Sequence, residues 1–180
     1  MKRTILLILI FLLWSPVWAF DFDDEIYSST ASGGGADGVI GSITHTSSLN
    51  TYSGSIYYST ITASTAGVVR YGHIYTISAG DTVCIGLHTS DGTTLISGSG
   101  TSVANGWVNI DCGVNQDITL TDYILSVQVS GFPTTIGSYS DTVSQSVVGS
   151  YSCGAAATGG SIANSITRSV IFNNTPGSPE

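Results

Sequence analysis

Between residues 39 and 172 apolar side chains recur at every second position in short runs, and Gly, Asn, Asp or Ser closes most of them. Such alternation buries one face of a strand and leaves the other in solvent. The runs predict strands at 39–46, 56–62, 68–77, 82–89, 93–103, 107–112, 118–129, 136–141, 146–151 and 166–172. Gly, Ser, Thr, Val, Ile and Tyr dominate, and stretches of Glu, Lys, Leu or Ala long enough for a helix are lacking. The expectation is an all-β chain, a sandwich or a barrel of about 8–10 strands.

Two dipeptides refine this reading. Asp91-Gly92 signals a two-residue type I′ hairpin, which sets Leu87 opposite Ile96 and Ile85 opposite Gly98. Val83, Ile85, Leu87 and Ile96 then share a core face, with Cys84, Gly86, His88, Leu95, Ser97 and Ser99 on the other. Asn105-Gly106 predicts a second hairpin pairing Val103 with Val108 and Thr101 with Ile110. The two registers bury opposite faces of the strand they share, so Gly98-Ser99-Gly100 between them is expected to hold a bulge or a sheet corner.

The runs "AGDTVCIGLHTSDGTTLISGSG", "NGWVNIDCG" and "DITLTDYILSVQVSG", within residues 79–131, resemble the jelly-roll or fibronectin-like β-sandwich modules of unknown function in bacterial secreted and cell-surface proteins. Such modules also stand beside carbohydrate-active proteins. The resemblance implies a single antiparallel β-sandwich of jelly-roll type, a non-catalytic module often paired with a larger protein.

The N-terminus changes the picture of where the chain works. "MKRTILLILIFLLWSPVWAF" has a basic start, a short apolar run and a small-residue exit after Val17-Trp18-Ala19, the pattern of a signal peptide over 1–19. The apolar run is shorter than the ~20 residues of a membrane span. The remaining plan is a flexible acidic and Gly-rich leader at 20–37, the sandwich at 38–174 and a tail at 175–180. Secretion to the extracellular space or periplasm is therefore expected. A small outer-membrane barrel fits the alternation less well, because the strands are irregular in length.

Cleavage would leave two arginines, Arg70 and Arg168, against 12 acidic residues, a net charge of −10. Such a chain cannot neutralise a row of phosphates, which excludes nucleic acid and anionic membrane as partners. It also holds no lysine nucleophile. Three cysteines permit one internal disulfide, and strand phase favours Cys112 with Cys153, worth roughly 3 to 4 kcal/mol in the chain-entropy model.

Catalytic signals are lacking. No Gly-x-Ser-x-Gly elbow occurs, and His45, His73 and His88 have no metal-like spacing, so they read as surface or hydrogen-bonded core residues. Gly33, Gly35 and Gly38 match a dinucleotide fingerprint, but it follows no strand and opens no helix. Asp21, Asp23 and Glu25 are weak candidates for a structural calcium, without the turn and closing acid of a built site. No other cofactor is expected.

One constellation suits a ligand. Trp107, Asn109 and Asp111 alternate opposite Val108 and Ile110, an aromatic face beside planar hydrogen-bonding groups, as sugar binding requires. Tyr71, His73 and Tyr75 form a second row, but they share their phase with Val69 and Ile77, which predicts core packing. The sequence thus favours a non-enzymatic module that binds a carbohydrate or a cell-surface protein. The alternative is a structural subunit or accessory protein of a surface layer or filament, self-associating through the leftover thiol.

Overall fold

A computed structural model of the chain describes residues 36–53, 55–131, 134–148, 153 and 161–179. The expected signal peptide, nearly all of the expected leader and the calcium candidates Asp21, Asp23 and Glu25 lie outside the described residues. Among the described residues there are eleven strands and no helix. They are β1 (Ile40–Gly41), β2 (Ser47–Thr51), β3 (Ser55–Thr62), β4 (Gly67–Thr76), β5 (Thr82–Thr89) and β6 (Thr94–Thr101). After these come β7 (Gly106–Ile118), β8 (Asp122–Val129), β9 (Thr134–Val148), β10 (Ser161–Arg168) and β11 (Val170–Asn173).

Eight of them form two four-stranded antiparallel layers. The first runs β1-β11-β4-β7 and the second β3-β8-β5-β6. That is jelly-roll order, in which neighbours along the chain alternate between sheets except at the β5–β6 hairpin. Long β9 joins the layers at one end, pairing with β2 and the end of β4 in its first half and with β3 in its second. β10 pairs with β9 and leads through Ser169 into β11.

Period-two alternation fills the space between the sheets. Val69, Ile74, Val108, Ile110, Ile40 and Phe172 come from the first sheet, and Val83, Ile85, Leu87, Ile96, Leu125, Val127 and Val129 from the second, all buried in one cluster. Phe172 is wholly buried opposite Gly72, whose missing Cβ leaves room for that ring and for Ile85 from the facing sheet. The apolar side chains thus converge between layers, unlike those of a lipid-facing barrel.

The expected register of β5 and β6 holds from Leu87↔Ile96 through Ile85↔Gly98 to Thr82↔Thr101. The turn behind it differs from the two-residue loop. Gly92 is its one left-handed residue, with φ 89°, and its N–H donates to the Thr89 carbonyl while Thr89 N–H donates to Thr93. This is a three-residue loop with a glycine bulge. It moves the register by one, and a second irregularity between Leu87 and His88, with Leu95 as the extra residue, moves it back.

Asn105-Gly106 does not close a hairpin. β6 pairs with β5 and β7 with β4, so this dipeptide carries the chain from one sheet to the other. Asn105 has φ 51°, and Thr76 Oγ1 pins the corner by donating to the Val103 carbonyl and accepting from Val103 N–H, 2.7 and 2.9 Å. The bulge expected at Gly98-Ser99-Gly100 is accordingly absent, and these residues pair regularly with β5. Their glycines serve contact between the sheets instead. A Cβ at Gly98 would lie 2.5 Å from Ile110 Cγ2 and one at Gly100 would lie 2.7 Å from Val108 Cγ1.

The disulfide joins Cys84 to Cys153, with Cα atoms 5.5 Å apart, which corrects the expected Cys112–Cys153 bond. Strand phase separated Cys84 from Cys112 correctly, since Cys84 is on the outer face of the second sheet and Cys112 points toward Gly98 between the sheets. Cys153 reaches Cys84 from outside, so β5 and β6 stand between it and Cys112. Cys112 stays free and half-buried.

Candidate functional site

The candidate face is the outer side of the first sheet. β7 contributes Trp107, Asn109 and Asp111, whose side chains point away from buried Val108 and Ile110 as expected. The neighbouring row was misplaced by the sequence reading. Tyr71, His73 and Tyr75 pair directly with Asp111, Asn109 and Trp107, and they share that outer face. The cause is an irregularity between Val69 and Tyr71, where Arg70 alone faces four residues of β7, 112–115, and the phase set by core Val69 reverses.

Three rings meet at one end. Tyr75 stacks on His45 with centroids 3.9 Å apart and planes 11° apart, and Trp107 meets Tyr75 edge-on at 5.4 Å. Trp107 and Tyr75 are half-buried and His45 is exposed, so the cluster is partly open to solvent. Gly137 of β9 permits the packing, since a Cβ there would sit 2.8 Å from Tyr75 Cδ1 and 3.2 Å from His45 Cβ. His45 follows the short β1 in an irregular segment, and no periodicity in the sequence marks it as a partner of Tyr75.

A polar row crosses the middle of the face. His73 is fully buried, with Nδ1 2.8 Å from Asn109 Oδ1 and Nε2 3.0 Å from Asn173 Oδ1. A neutral imidazole donates to one of these oxygens, and an imidazolium donates to both. His73 is therefore a positioning residue that holds an amide on each side of β4. Asn173 Oδ1 also accepts from Thr175 N–H at 3.0 Å.

The third row is a solvent-accessible ion pair. Arg70 Nε and Nη2 donate to the two Asp111 oxygens, each at 2.9 Å, and the guanidinium lies 5.6 Å from the Tyr71 ring centroid. The hydrogen bonds from Arg70, and then that from Gly113 N–H, hold the Asp111 carboxyl below the usual carboxylate range. Asp111 is thus engaged by a cation of its own chain.

Beyond β11 the face opens into a cavity of about 560 Å³, bounded by Gly41, Ser42, Ile43, Ile171 and Asn173 with the C-terminal residues around Thr175 and Pro179. Ile171 pairs with His73, so the cavity floor continues the polar row.

The other conspicuous polar pair lies elsewhere. His88, on the outer face of the second sheet, has Nε2 2.7 Å from Ser126 Oγ and Nδ1 3.0 Å from Thr94 Oγ1. A serine beside a histidine is the start of a nucleophilic site, but the second nitrogen meets a hydroxyl in place of an orienting carboxylate. Both residues are buried, and burial pushes His88 down to about 4. It is a buried histidine whose two ring nitrogens are both hydrogen-bonded. Among the described residues no group of three or more His, Cys, Asp or Glu is placed to hold a metal ion. No protein-family description and no curated protein matches the chain.

Proposed function

We propose that this protein is an exported, non-catalytic β-sandwich module that binds carbohydrate on the outer face of its first sheet. The observation that carries the proposal is the Trp107–Tyr75–His45 cluster, partly open to solvent, beside the Asn109 and Asn173 amides. Aromatic surface next to planar donors and acceptors matches sugars, which present apolar C–H patches ringed by hydroxyls. Export is supported by the signal-like N-terminus and by the Cys84–Cys153 disulfide, which belongs in an oxidising compartment. The rival reading as a subunit linked through a spare cysteine is weakened by the inward-facing, half-buried Cys112.

A glycan array probed with wild type and Trp107→Ala tests the proposal. Wild type is expected to bind, with at least a tenfold loss in the variant at unchanged circular dichroism. No glycan retained by wild type would sink it.

A further inference from the structure

The amides of the candidate face are oriented by a relay that starts in the backbone. Thr175 N–H donates to Asn173 Oδ1 at 3.0 Å, so this oxygen cannot trade places with Nδ2 without setting two donors against each other. The same oxygen lies 3.0 Å from His73 Nε2, which must then carry a proton to donate to it. What Asn109 does is left to Nδ1. Asn109 Oδ1 lies 2.8 Å from that nitrogen, and an oxygen is its proper partner only when Nδ1 is protonated as well. The observed arrangement is therefore that of an imidazolium donating at both nitrogens.

Loss of the second proton leaves a lone pair on Nδ1 facing those of Asn109 Oδ1. His73 is fully buried, which makes such an unrelieved clash costly. Asn109 is exposed, and among the described residues its one side-chain hydrogen bond is to this ring, so a half-turn of its amide is open to it. The turn brings Nδ2–H onto Nδ1 and swings Oδ1 outward. Asn173 stays in place because Thr175 holds it.

Resting on the carbohydrate reading for the ligand that meets it, we infer that His73 is a pH-operated polarity switch of this face, acting through Asn109. In acid both amides present N–H groups, which suit ring, carbonyl or carboxylate oxygens. With the ring neutral, Asn109 presents an oxygen two residues from Trp107 and favours a hydroxyl that donates, while Asn173, which lines the cavity, still presents N–H. The other titratable or charged side chains around the ring are Tyr71 and Tyr75 on β4, with His45 stacked on Tyr75, and Asp111 on β7, held by Arg70. β11 carries none, and Arg168 ends β10 ahead of it.

Nitrogen-15 NMR of the ligand-free protein from about pH 4 to 9 tests this inference, the range in which histidine charge ordinarily changes. Ring-nitrogen shifts should show His73 as an imidazolium at the acid end and as the Nε2–H tautomer at the basic end. The Asn109 side-chain N–H signals should move with the same midpoint as the His73 ring, and those of Asn173 should move far less. In His73→Gln the Asn109 response should vanish, and the wild-type titration decides alone if that variant does not fold. An Nδ1–H tautomer, a ring that keeps one charge state throughout, an Asn109 signal that is fixed or follows His45, an Asn173 signal that moves as far, or a response that survives in His73→Gln overturns the inference. Each of these outcomes leaves the carbohydrate reading intact, since that reading fails only on the glycan array.

Discussion

Gly98 of β6 lies so close to Ile110 of β7 that a Cβ at position 98 would stand 2.5 Å from Ile110 Cγ2. The two strands belong to different sheets, so this glycine sets how closely the layers approach along one edge of the sandwich. Gly98→Ala should destabilise the fold by about 1–3 kcal/mol through overpacking. Combined with Ile110→Ala it should cost less than the sum of the single changes. Urea denaturation of the four proteins of the cycle measures this, and strict additivity would show that the contact is not limiting.

The Cys84–Cys153 bond closes a loop of 69 residues, worth roughly 4 kcal/mol in the chain-entropy model. Cys153→Ser should lower stability by about that amount relative to the oxidised protein, and wild type in reductant should fall to a similar level. Peptide mapping without reduction should recover Cys84 linked to Cys153 and Cys112 alkylated. A peptide joining Cys112 to Cys153 would contradict the assignment.

Burial first, and the Asp111 charge second, pushes the Cys112 thiol up to about 11. The thiolate is the reactive form, so native Cys112 at pH 8 should react with iodoacetamide about a hundredfold more slowly than in the unfolded chain. The rate should climb steadily with pH toward that value. Rapid labelling at pH 8 would mean that the thiol is open to solvent.

His88 gives the fold a dependence on acid. Burial lowers its pKa from 6.5 to about 4, so between those values the unfolded chain binds the proton more readily than the folded one. The contribution is therefore fully present above about pH 6.5 and is lost as pH falls toward 4, by up to about 3 kcal/mol. Denaturation of wild type and His88→Gln across pH 4–7 should show a shallower decline in the variant. Parallel curves would assign the acid sensitivity to other groups.

What the sequence disclosed was local and periodic. The outward phase of Trp107, Asn109 and Asp111 followed from Val108 and Ile110, and the register of β5 and β6 followed from Asp91-Gly92. That register survived because two one-residue shifts, at Gly92 and at Leu95, cancel. Where a single shift stands alone, periodicity misleads. The irregularity at Arg70, opposite residues 112–115 of β7, turned Tyr71, His73 and Tyr75 from an expected core row into half of the candidate site. The other errors arose where a turn lacks turn residues or a turn dipeptide serves another purpose. Thr119, Leu120 and Thr121, all poor turn formers, separate β7 from β8, and the sequence reading ran them into one strand with β8. Asn105-Gly106 looks like a hairpin and is a passage between sheets, a distinction set by partners about 30 residues away at Thr76.

Ile40 of the first strand pairs with Phe172 of the last. The β1–β11 contact thus joins the two ends of the domain, and the first sheet has no complete form until the C-terminal strand arrives. Folding dominated by such distant pairings is slow. A ribosome-bound chain holding only the first half of the domain cannot close this sheet, and so would stay open to chaperones and proteases until β11 emerges.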